Sequence, residues 1–216
     1  MGSPWKLQFL KDLIRQERPD VVFLCETLSN KVQMEKIRLK IQFQGMIVVE
    51  PQGRSGGLAL LWRDSDQAKL LSLSQNHIDV ELTIRDLPTW RLTGDSNLPW
   101  CTIGDLNNIV SQLDKRGGAA YPQKLIDGFN NVLLDTGLRD MELHGHPFTW
   151  ERGRNTDNWL EIRLDRALVS PDWLDLFPMS KLYTIDGSPS DHSPIFLDPK
   201  LIESVRTKKR FRFENA

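Results

Sequence analysis

Four short polar groups of residues stand where apolar stretches of the chain end. They are Cys25-Glu26-Thr27, Gly104-Asp105-Leu106-Asn107-Asn108, Arg163-Leu164-Asp165-Arg166 and Ser190-Asp191-His192-Ser193. The end of a strand is where a rigid sheet can present polar side chains to one crevice. Glu26 is the kind of carboxylate that Mg²⁺ accepts while keeping much of its water shell. Asp105 suits the orientation or deprotonation of an attacking water. His192, if held by a carboxylate such as Asp165, suits contact with a phosphate on which charge develops. Asn107 has an amide to donate to a phosphate oxygen. Together these are the parts that hydrolysis of a phosphodiester requires. Singly, each has a plainer reading. Glu26 can be a solvated acid, the Gly-Asp-x-Asn stretch an ordinary turn, the Asp–His pair incidental, and Arg163 and Arg166 a salt-bridged strand edge. The order and spacing of the four groups favour the sharper reading. His144-Gly145-His146 is read as a loop, because no Cys or acid stands near it at metal-ligand spacing.

The elements that must position these groups are legible in the apolar periodicity. Leu7, Leu10, Leu13 and Ile14 give one face of a helix over Lys6 to Gln16, ended by Pro19. Val21 to Cys25 reads as a buried strand running into Glu26, and Lys31 to Lys40 as a second helix with Val32 and Ile37 among its apolar positions. Met46–Val49 and Leu58–Trp62 read as strands around a turn from Pro51 to Gly57. Ile78, Val80, Leu82 and Ile84 alternate as in a half-buried strand. Thr89–Thr93 and Trp100–Gly104 are further strands, the second running into Asp105. Leu125, Phe129, Val132 and Leu133 sit at helical spacing, Phe148-Thr149-Trp150 and Ile162–Val169 read as strands, and Ser170-Pro171-Asp172-Trp173 opens a helix. Strands outnumber helices and interleave with them, which predicts a layered α/β protein with two central sheets and helices outside.

Composition bounds the partners. The chain has 216 residues, 39% hydrophobic, with a net charge of −1. That length suits one domain with a real core. A protein that coats nucleic acid is usually more basic, so any binding charge must be local. The dense basic run is Arg206-Thr207-Lys208-Lys209-Arg210-Phe211-Arg212. No apolar run reaches the roughly 18 residues of a membrane span, and the N-terminus lacks the layout of a signal peptide. Cys25 and Cys101 cannot build a disulfide framework and are expected as buried, reduced thiols. An intracellular protein with no membrane partner is expected.

Pro19-Asp20-Val21-Val22-Phe23-Leu24-Cys25-Glu26-Thr27 resembles the metal-binding "DVVFLxET" segment of the endonuclease/exonuclease/phosphatase superfamily, and Gly104-Asp105-Leu106-Asn107 resembles its "GDxN" segment. Phe148-Thr149-Trp150 with Arg163-Leu164-Asp165-Arg166 is similar to "FTW…RLDR", and Ser190-Asp191-His192-Ser193-Pro194 to the terminal "SDHxP". Gly53-Arg54-Ser55-Gly56-Gly57 with Leu58–Trp62, and the closing Arg210-Phe211-Arg212-Phe213-Glu214-Asn215, narrow the likeness to endonuclease domains of plant LINE-type, non-LTR retrotransposons. The resemblance implies a DNase I-like four-layer α/β sandwich, a two-layered β-sandwich flanked by helices, and Mg²⁺-dependent endonucleolytic cleavage of DNA, with Mn²⁺ as the alternative cation. By this resemblance Glu26 holds the metal with Asp191 assisting, Asp105 and Asn107 serve nucleophile and phosphate, and Asp165 orients His192. Residues 1–199 would form the domain, and residues 200–216 a basic tail that starts a linker to a missing reverse transcriptase. The implied place of action is the nucleus.

Two departures make the expected fold incomplete. The family's opening "WNxRG" strand has no counterpart here, and neither has the "GxYG/FYG" segment with its helix and active-site tyrosine after Thr93. Only Gly94 to Pro99 links the two strands around that gap. Leu92 and Ile103 are therefore expected to lose cover, or the Thr89–Thr93 strand to leave its place. The alternative to an endonuclease is a shortened copy without turnover that binds nucleic acid through Arg206–Arg212. Phosphoinositide or sphingomyelin hydrolysis, a third option within the superfamily, is disfavoured by the plant-element motifs.

Overall fold

The heptad-like recurrence of Leu7, Leu10 and Ile14 forms helix α1 (Pro4–Glu17), which stops short of Pro19. The structure, a computed structural model, describes residues 4–53, 56–93, 97–188 and 190–201. The basic run 206–212 and the stretch 94–96 lie outside the described residues. Strand β1 (Val21–Leu24) follows, then α2 (Lys31–Ile41), which a reciprocal cap between Asn30 and Gln33 opens. Strands β2 (Gly45–Val49) and β3 (Leu58–Trp62) complete a three-stranded antiparallel sheet in the order β1-β3-β2.

All five residues of β3 are buried because both faces of this sheet are covered. Ala59 and Leu61 face a cluster with Leu10, Ile14, Met34, Ile37 and Ile41 of the two helices. Leu58, Leu60 and Trp62 face the main core. This is the period-2 alternation of a strand with an apolar layer on each side. Val32 of α2, an expected apolar position, is instead exposed, and Met34 takes the buried place.

Across the main core lies a second, six-stranded sheet. It takes in β4 (Ala68–Leu73), β5 (Ile78–Leu82), β6 (Trp90–Leu92) and β7 (Trp100–Asp105). Short β8 (Lys115–Arg116), helix α3 (Gln123–Thr136), β9 (Arg139–Asp140), β10 (Leu143–His144), β11 (Trp150–Arg152) and β12 (Leu160–Ile162) come next. The chain then runs through β13 (Asp165–Val169), α4 (Pro171–Leu176), β14 (Lys181–Thr184) and β15 (Ile195–Asp198). The large sheet has the order β4-β5-β6-β7-β13-β9, and two small sheets have the orders β11-β12-β8 and β10-β14-β15. The layered α/β class is as expected, but among the described residues there are four sheets, not two. No helix among them is long and apolar enough to cross a membrane.

Four further expectations are corrected. Leu92 is buried in the main core and Ile103 packs against it half-buried, so the short link leaves neither uncovered. The α3 face read from the sequence is only partly the inward one: Phe129 and Leu133 are half-buried and Ile126 is buried, whereas Leu125 and Val132 are 48% and 53% exposed. The helix meets only a small cluster with Ile109 and Ile162, so Ile126 is the one fully buried residue of its fourteen. The Ile162–Val169 strand is two strands, broken at Arg163 and Leu164. Of the two thiols, Cys101 is buried and Cys25 is exposed, because β1 ends at Leu24.

Candidate active site

Strands β7 and β13 run antiparallel in a register that sets Asp105 opposite Asp165. Their carboxylates therefore meet at one end of the large sheet. Gly104, just before Asp105, has a φ of 145°, a conformation that L side chains rarely adopt. The ladder continues through it to Asp105, and the loop with Asn107 begins beyond. Asn107 is itself left-handed (φ 51°), and its backbone N–H donates to Asp105 Oδ1 at 2.9 Å. One oxygen of Asp105 is thereby fixed, and its Oδ2 lies 4.0 Å from His192 Nε2.

His192 lies between the two acids. Its Nδ1 is 2.9 Å from Asp165 Oδ2. With that proton donated to Asp165, Nε2 is the nitrogen left for other work. Burial alone would lower the imidazole pKa. The hydrogen bond to Asp165 and the charges of Asp165, Asp105 and Asp191 outweigh it, and the net shift is upward.

Thr149 joins the segments that carry this pair. Its buried Oγ1 accepts the backbone N–H groups of Leu164 (3.0 Å) and Asp165 (2.9 Å). Its carbonyl accepts the N–H of Ser193 at 2.7 Å, and the N–H of Glu151 donates to the carbonyl of Asp191 at 2.9 Å. The β11 backbone thus grips the Asp191–Ser193 segment while the Thr149 side chain grips the start of β13. The threonine is within a quoted motif, but nothing in its residue type announced this role.

Asp191 is exposed. It accepts from Trp150 Nε1 at 3.2 Å and from Ser190 Oγ at 3.1 Å. Partial desolvation pushes its pKa up, but these hydrogen bonds and the neighbouring His192 outweigh it and hold the carboxyl below its ordinary value. Glu26 sits one residue beyond exposed Cys25, in a left-handed turn (φ 47°) shared with Leu28. Gly56 and Gly57 hold that turn: the N–H of Thr27 donates to the Gly57 carbonyl at 3.1 Å and the N–H of Leu28 to the Gly56 carbonyl at 3.2 Å. The Cys25 thiol lies next to Glu26 in the chain. Desolvation and the charges of Asp165, Asp105 and Glu26 push it up to about 11.

Ion pairs brace this arrangement. Arg166, fully buried, donates from Nη2 to Asp114 at 2.5 Å and from Nη1 to Asp140, while Arg163 Nη2 reaches Asp140 at 3.0 Å. Asp114 in turn accepts the N–H groups of Val110 (2.9 Å) and Ser111 (3.2 Å). The two arginines are therefore structural, as the plainer reading had it, but they clamp the loop that carries Asn107. His146 is not idle loop either, since Nε2 lies 2.8 Å from the buried Glu161. A cavity of about 260 Å³, lined by His146, Phe148, Trp150, Arg154, Ser190 and Ser193 among others, opens next to the segment that carries His192 without His192 itself in its wall.

The donors fit a hard cation that keeps most of its water and do not fit a closed cage. Among the described residues no three His, Cys, Asp or Glu side chains gather at metal-binding spacing. Glu26 is exposed, in the left-handed turn that follows β1. A cation held by one or two carboxylates is the manner in which Mg²⁺ is usually bound.

A profile of the Endonuclease/Exonuclease/phosphatase family matches residues 5–192. No curated protein matches the chain in sequence. Among solved structures, a 3′ phosphatase from Neisseria bound to a product DNA hairpin superposes with a TM-score of 0.62 at 18% identity, over 91% of this chain and 95% of that one. An AP endonuclease from Archaeoglobus fulgidus gives 0.64 at 14% identity, over 90% and 94%. The endonuclease domain of TRAS1, a telomere-specific non-LTR retrotransposon, gives 0.59 at 16% identity, over 92% and 93%. At these identities the likeness speaks for the fold.

Proposed function

The chain belongs to the endonuclease/exonuclease/phosphatase family, and from that premise we propose that its site hydrolyses phosphodiester bonds of DNA with a divalent cation, Mg²⁺ or Mn²⁺. The observation that carries this reading is His192 held 2.9 Å from Asp165 and 4.0 Å from Asp105, at the joined ends of two paired strands. A gap of that width is one that a water bridges, accepting from Nε2–H and donating to the carboxylate.

Asp165 fixes the tautomer of His192 and favours its charged form, so that Nε2–H donates to a phosphate oxygen as negative charge builds there. Asp105, pinned at Oδ1 by Asn107, offers Oδ2 to the attacking water and takes its proton. The Asn107 side-chain amide donates to a second phosphate oxygen. Glu26 is the principal metal ligand, with Asp191 assisting from its side of the crevice. Bound there, the cation would offset phosphate charge as a Lewis acid. Half-buried Trp150, in the wall of the neighbouring cavity, offers an apolar face to a nucleotide.

The finer assignment is a plant LINE-type endonuclease domain over residues 1–199, acting on nuclear DNA, with 200–216 as the start of a linker. It is supported by the motif likeness around Gly53–Trp62 and by the fold shared with a retrotransposon endonuclease domain. The test is nicking of supercoiled plasmid in Mg²⁺ against EDTA. Glu26→Gln, Asp105→Asn and His192→Ala should each lower the rate by about 10²- to 10⁴-fold, the usual contribution of a positioned acid, base or charge partner. Plasmid binding without cleavage at any divalent-ion concentration would favour the binding remnant. Cleavage that survives Asp105→Asn would move the chemistry elsewhere.

A further inference from the structure

Tyr121 lies on the loop between β8 and α3, far in sequence from every motif above. Its phenol is 3.3 Å from the carbonyl of Asn107 and 3.4 Å from Asn108 Oδ1, so its one proton is shared between two acceptors of the same loop. The residue is held ready for this. The Gln112 side chain clamps its backbone both ways: Nε2 donates to the Tyr121 carbonyl at 2.7 Å, and the Tyr121 N–H donates to Oε1 at 3.1 Å. Lys115 Nζ closes the loop on the carbonyls of Gly117 and Ala119, both at 2.5 Å. The ring packs on the Ile109, Ile126 and Ile162 cluster, together with Trp150 and Leu164.

We propose that Tyr121 is a positioning residue for the site, acting on Asp105 through Asn107; this rests on the phosphodiester reading above. The connection is continuous. The phenol donates to the Asn107 carbonyl, the Asn107 N–H donates to Asp105 Oδ1 at 2.9 Å, and Asp105 Oδ2 faces His192 Nε2. From the opposite side, Arg166 Nε donates to the carbonyl of Asn108 at 3.4 Å. Asn107 is left-handed, a conformation that persists at a non-glycine residue when its surroundings hold it. Tyr121 and Arg166 are those surroundings. The phenol thus decides whether the carboxylate that faces the attacking water has one orientation or several. It also brings a tyrosine to the site from a segment after Asp105, where the sequence resemblance had led one to look before it.

The test compares wild type with Tyr121→Phe, which keeps the ring and its packing but removes the donor. The melting temperature should hold, KM for plasmid should hold, and kcat should fall about three- to tenfold, the range for loss of one hydrogen bond. In EDTA and without DNA, hydrogen exchange of the Asn107 amide should speed up about tenfold, since its bond to Asp105 loses support. Gln112→Ala, which frees the Tyr121 backbone and leaves the phenol, should move kcat and Asn107 exchange in the same direction. Unchanged Asn107 exchange in both variants overturns the proposal, whatever the activity. A raised KM with unchanged kcat also overturns it, because the phenol would then touch the substrate. If wild type cleaves no DNA, the phosphodiester reading fails, and the exchange comparison still decides the role of Tyr121.

Discussion

The charge on His192 is where a single side chain is most open to measurement. Its pKa in the folded chain lies above the ordinary imidazole value, because Asp165, Asp105 and Asp191 outweigh the burial that acts against it. A group whose folded pKa is raised binds its proton more tightly in the native state than in the unfolded one. The stability it contributes is fully present below the unfolded value, about 6.5, and is lost as pH rises through the raised folded value. Wild type should therefore be more stable than His192→Asn in mildly acidic buffer, and the difference in melting temperature should shrink toward alkaline pH. Thermal melts of both proteins in EDTA across about pH 5.5 to 9 follow the imidazole titration. A difference that stays flat across that window would refute the ion-pair account. The candidate site was legible at this scale for a definite reason. Asp105 closes the apolar run of β7 and Asp165 opens that of β13, and the two strands pair where those runs are buried, while His192 stands three residues before the apolar β15. Tyr121 was not legible, because hydrogen bonding to a backbone carbonyl leaves no signature in residue type or spacing.

At the scale of elements, the turn carrying Glu26 depends on a glycine pair that the sequence offers only as a family signature. Gly57 has a φ of 91°, and a Cβ there would come within 2.6 Å of the buried Thr27 hydroxyl oxygen. Gly56 is equally left-handed, at 81°, but a Cβ on it meets nothing within 4 Å. Gly56→Ala should thus carry backbone strain alone, about 1 kcal/mol. Gly57→Ala adds a clash with a side chain held in the core, and should cost about 2–3 kcal/mol, or about 4–10 °C in a domain of this size. It should also weaken metal binding by displacing Glu26. Equal melting temperatures for the two variants would show that Thr27 gives way freely. The β6–β7 connection teaches the converse lesson. A parallel crossover ordinarily needs a dozen or more residues, and the link from Gly94 to Pro99 was expected to reach only when taut, with no helix to cover the sheet. The ladder proves only two pairs long, Arg91 with Trp100 and Leu92 with Cys101, so the chain has little distance to recover. Apolar periodicity reveals where a strand lies but not how much of it overlaps its neighbour. Strand β4 escaped the sequence reading for a related reason: Leu70 and Leu71 are adjacent, and a bulge between Leu70 and Ser72 breaks the alternation.

For the whole molecule the issue is how many sheet edges are left open. Strand β1 is the end of one three-stranded sheet and β15 the end of another, and residues of both pack against the same main core. The large sheet ends at β4, whose residues are exposed from Lys69 to Leu73. Leu70, Leu71 and Leu73 are 41–48% exposed there, and Lys69, 4.0 Å from Glu81, is the charge that guards the strand. A long apolar edge with a single charge is a template for pairing with another copy. Strands β1 and β15 are shorter and half-buried, so β4 is the edge through which self-association should begin. Leu71 is the place to test this. It is the extra residue of the bulge, without a register partner on β5, so a substitution there leaves the ladder intact. Leu71→Lys adds charge to the edge without touching the core. It should suppress concentration-dependent growth of particles in light scattering, while the melting temperature stays within the roughly 0.5 kcal/mol expected of a surface change. Charging Leu125 on α3, also about half exposed (48%), serves as the comparison, because a helix face offers no unpaired backbone. If Leu125→Lys suppresses association and Leu71→Lys does not, the apolar helix face rather than the open edge joins the copies.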